Sequence, residues 1–130
     1  MTESRYDDFH VDGYWWARCV RDDELRPEIV HVHAYGVDRL VGEATPFDRQ
    51  EFLPLAPIDV TGWPGICDAD SPGEIVPGYY WAYVGDEVGP EVLRVVNSNG
   101  DVYRIGKDEG GDRVDEVDLF IRKIEQPDFG

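Results

Sequence analysis

His31 and His33 are the first residues whose type and spacing suggest chemistry. Two apart on a strand, they share a face at a spacing of about 6–7 Å, and with His10 or Cys19 they would make a transition-metal site. Their counterparts in the repeat described below are Arg94 and Val96, so the pair reads as ordinary strand residues and no metal or cofactor is expected. Asp68-Ala69-Asp70-Ser71-Pro72-Gly73 opens like a calcium loop, but Pro72 takes a ligand position and Tyr79 stands where the closing glutamate belongs. Cys19 and Cys67 lack C-x-x-C spacing and read as two separate thiols. There is no G-x-S-x-G elbow, no phosphate-cradling glycine loop and no H-E-x-x-H. Adjacent acids such as Asp7-Asp8 arise by chance in so acidic a chain, and no apolar pocket marks one out. The chain therefore reads as non-enzymatic.

Charge is the remaining chemical feature. Of 130 residues, 28 are Asp or Glu and 12 are Lys or Arg, a net charge of −16. That balance argues against direct binding to a nucleic-acid backbone or an anionic membrane, both of which need clustered cations. The acids cluster at Asp22-Asp23-Glu24, at Asp86-Glu87, at Asp108-Glu109 with Asp112, and at Asp115-Glu116 with Asp118. Residues i and i+2 of a strand stand about 6–7 Å apart, close to the phosphate spacing along one DNA strand, so Glu116 and Asp118 on a strand would imitate successive phosphates. Matching turn clusters in two copies would add a second row. Acidic loops also serve solubility alone. With 42% hydrophobic and 12% aromatic residues the chain is too apolar for a disordered acidic tail. No stretch reaches the roughly 18 apolar residues of a membrane span, and the start, Met1-Thr2-Glu3-Ser4-Arg5, lacks a signal peptide's pattern; a cytoplasmic protein is expected.

An internal repeat supplies the elements that must position these acids. Gly13-Tyr14-Trp15-Trp16-Ala17 recurs as Gly78-Tyr79-Tyr80-Trp81-Ala82, and Pro27-Glu28-Ile29-Val30 as Pro90-Glu91-Val92-Leu93. Leu53-Pro54-Leu55-Ala56-Pro57-Ile58 aligns with Leu119-Phe120-Ile121-Arg122-Lys123-Ile124. The chain divides into an N-terminal segment 1–12, a β-module 13–58, a Pro- and Gly-rich connector 59–77 and a second β-module 78–127. Within each copy the apolar period is two, which predicts strands near 14–20, 28–33, 37–41 and 51–58, then 79–84, 91–97, 101–105 and 117–124. Asn99-Gly100 predicts a two-residue type I′ turn. The expected fold is all-β: two tandem pseudo-symmetric, four-stranded antiparallel modules, SH3-like or bent sheets, packed as one compact unit with Trp63 of the connector as a plug. Tyr14, Trp16, Tyr79 and Trp81 share one face and read as the core of each sheet. Trp15 and Tyr80, on the other face, are then candidates for a partner-facing or inter-module surface.

The second copy, G-Y-Y-W-A … V-Y-R-I-G-K-D-E … I-E-Q-P, resembles a family of small prophage-encoded β-modules. The match rests on Gly78, Tyr79, Tyr80, Trp81, Ala82, Val92, Val95, Val102, Ile105, Gly106, Asp108, Glu109, Ile124 and Pro127. It implies a β-fold and a phage origin, and it carries no catalytic residues. In size and charge the chain is also similar to anti-CRISPR and anti-restriction proteins that mimic DNA. The functional expectation is a non-enzymatic, anti-CRISPR-like inhibitor. Its acidic residues, with Trp15 and Tyr80, would meet the basic DNA-binding surface of a host defence complex, a CRISPR surveillance complex being favoured. The alternative is an adaptor that binds a protein through Trp15 and Tyr80.

Overall fold

The computed structural model describes residues 9–40, 46–69, 73–85, 89–97, 100–104 and 112–128. Alternating apolar and polar residues produce strands throughout. β1 (Gly13–Cys19), β2 (Pro27–His33), β3 (Gly36–Arg39) and β4 (Phe52–Ile58) pair in the order β3-β2-β1-β4. β5 (Gly78–Tyr83), β6 (Glu91–Val95), β7 (Asp101–Arg104), β8 (Asp112–Arg113) and β9 (Leu119–Ile124) pair in the order β8-β7-β6-β5-β9. All pairings are antiparallel, and among the described residues the helical segments are single 3₁₀ turns at Arg49–Glu51, Ile66–Asp68 and Val114–Glu116. The protein is all-β, built from two tandem, pseudo-symmetric modules packed together.

The register carries the repeat to single residues. Ala17 faces Glu28 and Ala82 faces Glu91; Val32 faces Val37 and Val95 faces Val102; Tyr14 faces Ile58 and Tyr79 faces Ile124. Both first strands meet the last strand with a bulge at the same place, between Trp16 and Ala17 and between Trp81 and Ala82. The extra residues, Leu55 and Ile121, are fully buried between the two sheets. A bulge re-aims one side chain without breaking the ladder, and here it supplies an apolar contact to the seam in each copy.

Each module closes beyond its four main strands. Val37 N–H donates to Phe47 O at 2.8 Å and Phe47 N–H to Val37 O at 2.7 Å, which ties β3 to the segment before β4. In the second module the short β8 does this job against β7, and a 3₁₀ turn precedes the last strand in both. Gly36 is required at this closure: its φ is +137°, and a Cβ there would lie 2.5 Å from Phe47 O. β8 and the closing bridge were not legible in the sequence, because two-residue pairings have no period to read.

The β6–β7 hairpin expected at Asn99-Gly100 is present, with Gly100 N–H donating to Asn97 O at 3.1 Å and Val96 N–H to Asp101 O at 2.9 Å. The type I′ turn expected there falls on Asn99, which lies outside the described residues. In the other copy His33 faces Gly36 across the two residues Ala34 and Tyr35.

The assignment of faces is also corrected. Trp15 and Tyr80 are fully buried inside their own modules and form no exposed surface. Trp15 packs with Phe9, Val30, Val32 and Phe52, and Tyr80 with Leu93, Val95, Val102 and Phe120. Each polar tip is satisfied four residues upstream: Trp15 Nε1 donates to Val11 O at 2.9 Å, while the Tyr80 hydroxyl donates to Val76 O at 2.7 Å and accepts from Val76 N–H at 3.0 Å. The opposite face, with Tyr14, Trp16, Tyr79 and Trp81, forms the seam between the sheets together with Ile29, Leu40, Val92 and Ile124. Trp63 packs into this seam, 5.2 Å from Trp81, and Pro64 O accepts the Trp81 indole N–H at 3.0 Å. The Tyr14 hydroxyl accepts from Val92 N–H at 3.3 Å, and the Tyr79 hydroxyl is bonded to the backbone of Ile29, the residue equivalent to Val92. The two modules clasp each other reciprocally.

Candidate functional site

The acids sort into two populations. Asp23, Glu24, Asp115, Glu116 and Asp118 are exposed, and Asp22 is half-buried. Asp86, Glu87, Asp108 and Glu109 lie outside the described residues; Asp112 is described only as backbone in β8. On the β1–β2 loop, Asp22 Oδ1 accepts from Glu24 N–H at 3.1 Å, and Glu24 pairs with Arg26. Glu116 ends a 3₁₀ turn and Asp118 precedes β9, so the strand spacing expected for these two is not realised. Asp118 has a structural role: its carboxylate accepts the Gly85 N–H, and its own N–H donates to Tyr83 O at 3.0 Å.

The two loop clusters are not brought together. Asp22 lines a pocket with Tyr79 and Arg94 at the start of β5, whereas Asp118 binds Gly85 just past the end of β5. The length of that strand separates them by about 20 Å. They form two acidic ends rather than two rows on one face, because the modules clasp each other reciprocally across the seam.

The inward-facing glutamates are each matched with an arginine. Arg39 grips Glu28 with Nε to Oε1 at 2.7 Å and Nη2 to Oε2 at 2.9 Å. Arg104 grips Glu91 the same way at 2.8 and 3.1 Å. Burial pulls the Arg39 guanidinium toward neutrality, but the hydrogen bonds and charge of Glu28 outweigh it, and its pKa ends above the ordinary value. These pairs were missed in the sequence, although Pro-Glu recurs in both copies within an apolar strand; their arginines lie one strand away and only register joins them. Asp38, 8% exposed, has its Oδ2 3.1 Å from His33 Nε2, close enough for an ion pair but not aligned as a hydrogen bond.

His31 stacks edge-on against Tyr14 at 5.0 Å and lies 5.9 Å from His33. Among the described residues, no three His, Cys, Asp or Glu side chains converge as a metal site. Cys19 is buried and Cys67 exposed, both as free thiols. Burial, foremost, holds the His31 pKa below 6.5; His33 adds to this, and Asp38 and Asp12 oppose it. Between that lowered value and 6.5 the unfolded chain binds the proton more readily than the native one, so stability is lost as pH falls through this window. The urea midpoint should decline on acidification below pH 6.5, and His31→Gln should flatten the decline.

No protein-family model matches the chain, and neither does any curated protein or solved structure. Among the described residues, no helix is long and apolar enough to cross a membrane.

Proposed function

We propose that the protein is a non-enzymatic, phage-encoded inhibitor of the anti-CRISPR type, which binds the basic DNA-binding surface of a host defence complex in place of DNA. The observation that carries this reading is the division of charge. The inward carboxylates Glu28, Glu91 and Asp38 lie against Arg39, Arg104 and His33, while exposed loops hold Asp23, Glu24, Asp115 and Glu116. Arginines spent on internal pairs do not offset the exterior, so the outer surface is more one-signed than a uniform mixture would be. A strongly anionic surface attracts a Lys- and Arg-lined channel over long range, with fast and salt-sensitive association. The two acidic ends, about 20 Å apart, suit an extended basic channel better than a small pocket.

Reversing charge at Asp23, Glu24, Asp115 and Glu116 should slow association with a DNA-binding defence complex and remove its salt dependence, as read by surface-bound kinetics at low and high salt. Asp118 is left out because it holds the Gly85 turn. Undiminished binding by the reversed variant would sink the proposal. The adaptor reading through Trp15 and Tyr80 is not retained, since both are fully buried.

A further inference from the structure

The seam carries a second feature of opposite sign. A pocket of about 250 Å³ opens between the modules, lined by Asp22, Arg26, Pro27, Glu28, Arg39, Tyr79 and Arg94. Three arginines lining one small cavity is unexpected in a chain of net charge −16. Both acids in the lining are engaged, and so are two of the arginines: Arg39 binds both oxygens of Glu28, Asp22 Oδ1 accepts a backbone N–H, and Arg26 pairs with Glu24. Arg94 has no carboxylate partner among the described residues; its guanidinium lies over the Tyr79 ring, 5.8 Å from the centroid. A half-buried guanidinium with its fork unclaimed is suited to a planar or tetrahedral oxyanion. The cavity is smaller than the roughly 300–1,000 Å³ typical for drug-sized ligands, which suits a single anionic group with a small appendage.

The pseudo-symmetric counterpart sharpens the point. Across the seam the equivalent residues are Glu91, Arg104, Tyr14 and His31. There the arginine side chain is 2% exposed against 19% for Arg39, and the place of Arg94 is taken by a histidine whose burial favours the neutral form. Two copies of one scaffold thus differ at the equivalent place: in one the arginine is buried against its glutamate beside a histidine, and in the other a pocket is lined with arginine.

We propose that this pocket is an oxyanion site, in which Arg94, assisted by Arg39 and Arg26, holds a phosphate or carboxylate group above the Tyr79 ring. It does not rest on the inhibitor function, although Arg26 of the pocket pairs with Glu24 of the acidic loop. The test is titration of the whole protein with inorganic phosphate at low ionic strength, followed by amide chemical shifts. Saturable shifts are expected at Arg26, Glu28, Tyr79 and Arg94. Arg94→Gln should weaken binding by about tenfold or more, Arg94→Lys should fall between because it keeps charge without the fork, and Arg113→Gln should bind as the wild type. If Arg94→Gln disturbs the fold, Arg26→Gln provides the same comparison from the exposed side of the pocket. A parallel titration with acetate separates the sources: binding of phosphate alone assigns a phosphorylated ligand, and equal binding of acetate assigns a carboxylate. No saturation, shifts confined to residues outside the pocket, or wild-type affinity in a folded Arg94→Gln would overturn the proposal.

Discussion

Trp15→Ala should lower the unfolding free energy by about 3–5 kcal/mol, the range for truncating a large buried aromatic side chain. The side chain is fully buried among Phe9, Val30, Val32 and Phe52, with the Phe9 ring edge-on at 5.1 Å. Truncation leaves a cavity at the centre of the first module, and Val11 O loses the indole N–H that ties the lead-in segment to β1. Chemical denaturation followed by far-UV dichroism measures the loss. A surface-exposed tryptophan would give a change within about 0.5 kcal/mol. A small change here, combined with loss of partner binding, would restore Trp15 as a contact residue and refute the buried assignment. Because the modules share a seam, both should unfold in one transition rather than two.

The second large effect is expected at Arg104. Its side chain is 2% exposed and donates two hydrogen bonds to Glu91, whose side chain is 15% exposed. Arg104→Ala leaves a poorly solvated carboxylate without its cation, a change that typically costs about 3–5 kcal/mol for a buried pair. Arg39→Ala should cost less, since Arg39 is 19% exposed and water enters the space its side chain leaves, although Glu28 itself is only 10% exposed. Removing both partners in Glu91→Leu with Arg104→Leu should recover most of the loss, because no charge is then stranded. The measurement is a comparison of urea midpoints across the three variants and the wild type. Equal costs for Arg104→Ala and Arg39→Ala would contradict the asymmetry between the two copies.

Much of the fold could be read from residue order. The aromatic pentapeptides and the Pro-Glu strands located the two copies, and alternation located eight strands close to their observed bounds. The aligned last strands, Leu53 to Ile58 with Leu119 to Ile124, were matched at the offset that the register shows. Asn99-Gly100 marked the β6–β7 hairpin, because tolerance for positive φ concentrates where a chain reverses. The candidate site was less legible. Acid clusters are visible in sequence, but that Asp118 serves the Gly85 turn, and that the Asp22 and Asp118 ends lie at opposite ends of β5, depend on which loops meet in space.

From its sequence alone the chain is determined to be acidic, β-rich and duplicated, because charge is a count and both strand alternation and repetition are one-dimensional signals. Which aromatic face points inward was decided only by the tertiary structure. In β1 and β5 both faces are apolar, so a period of two separates the sets {Tyr14, Trp16, Tyr79, Trp81} and {Trp15, Tyr80} without saying which meets the other module. The same holds for charge. Glu28 and Arg39, or Glu91 and Arg104, are ordinary polar residues until strand register sets them side by side. Arg26, Arg39 and Arg94 are scattered along the chain until the reciprocal packing of the copies gathers them at one pocket.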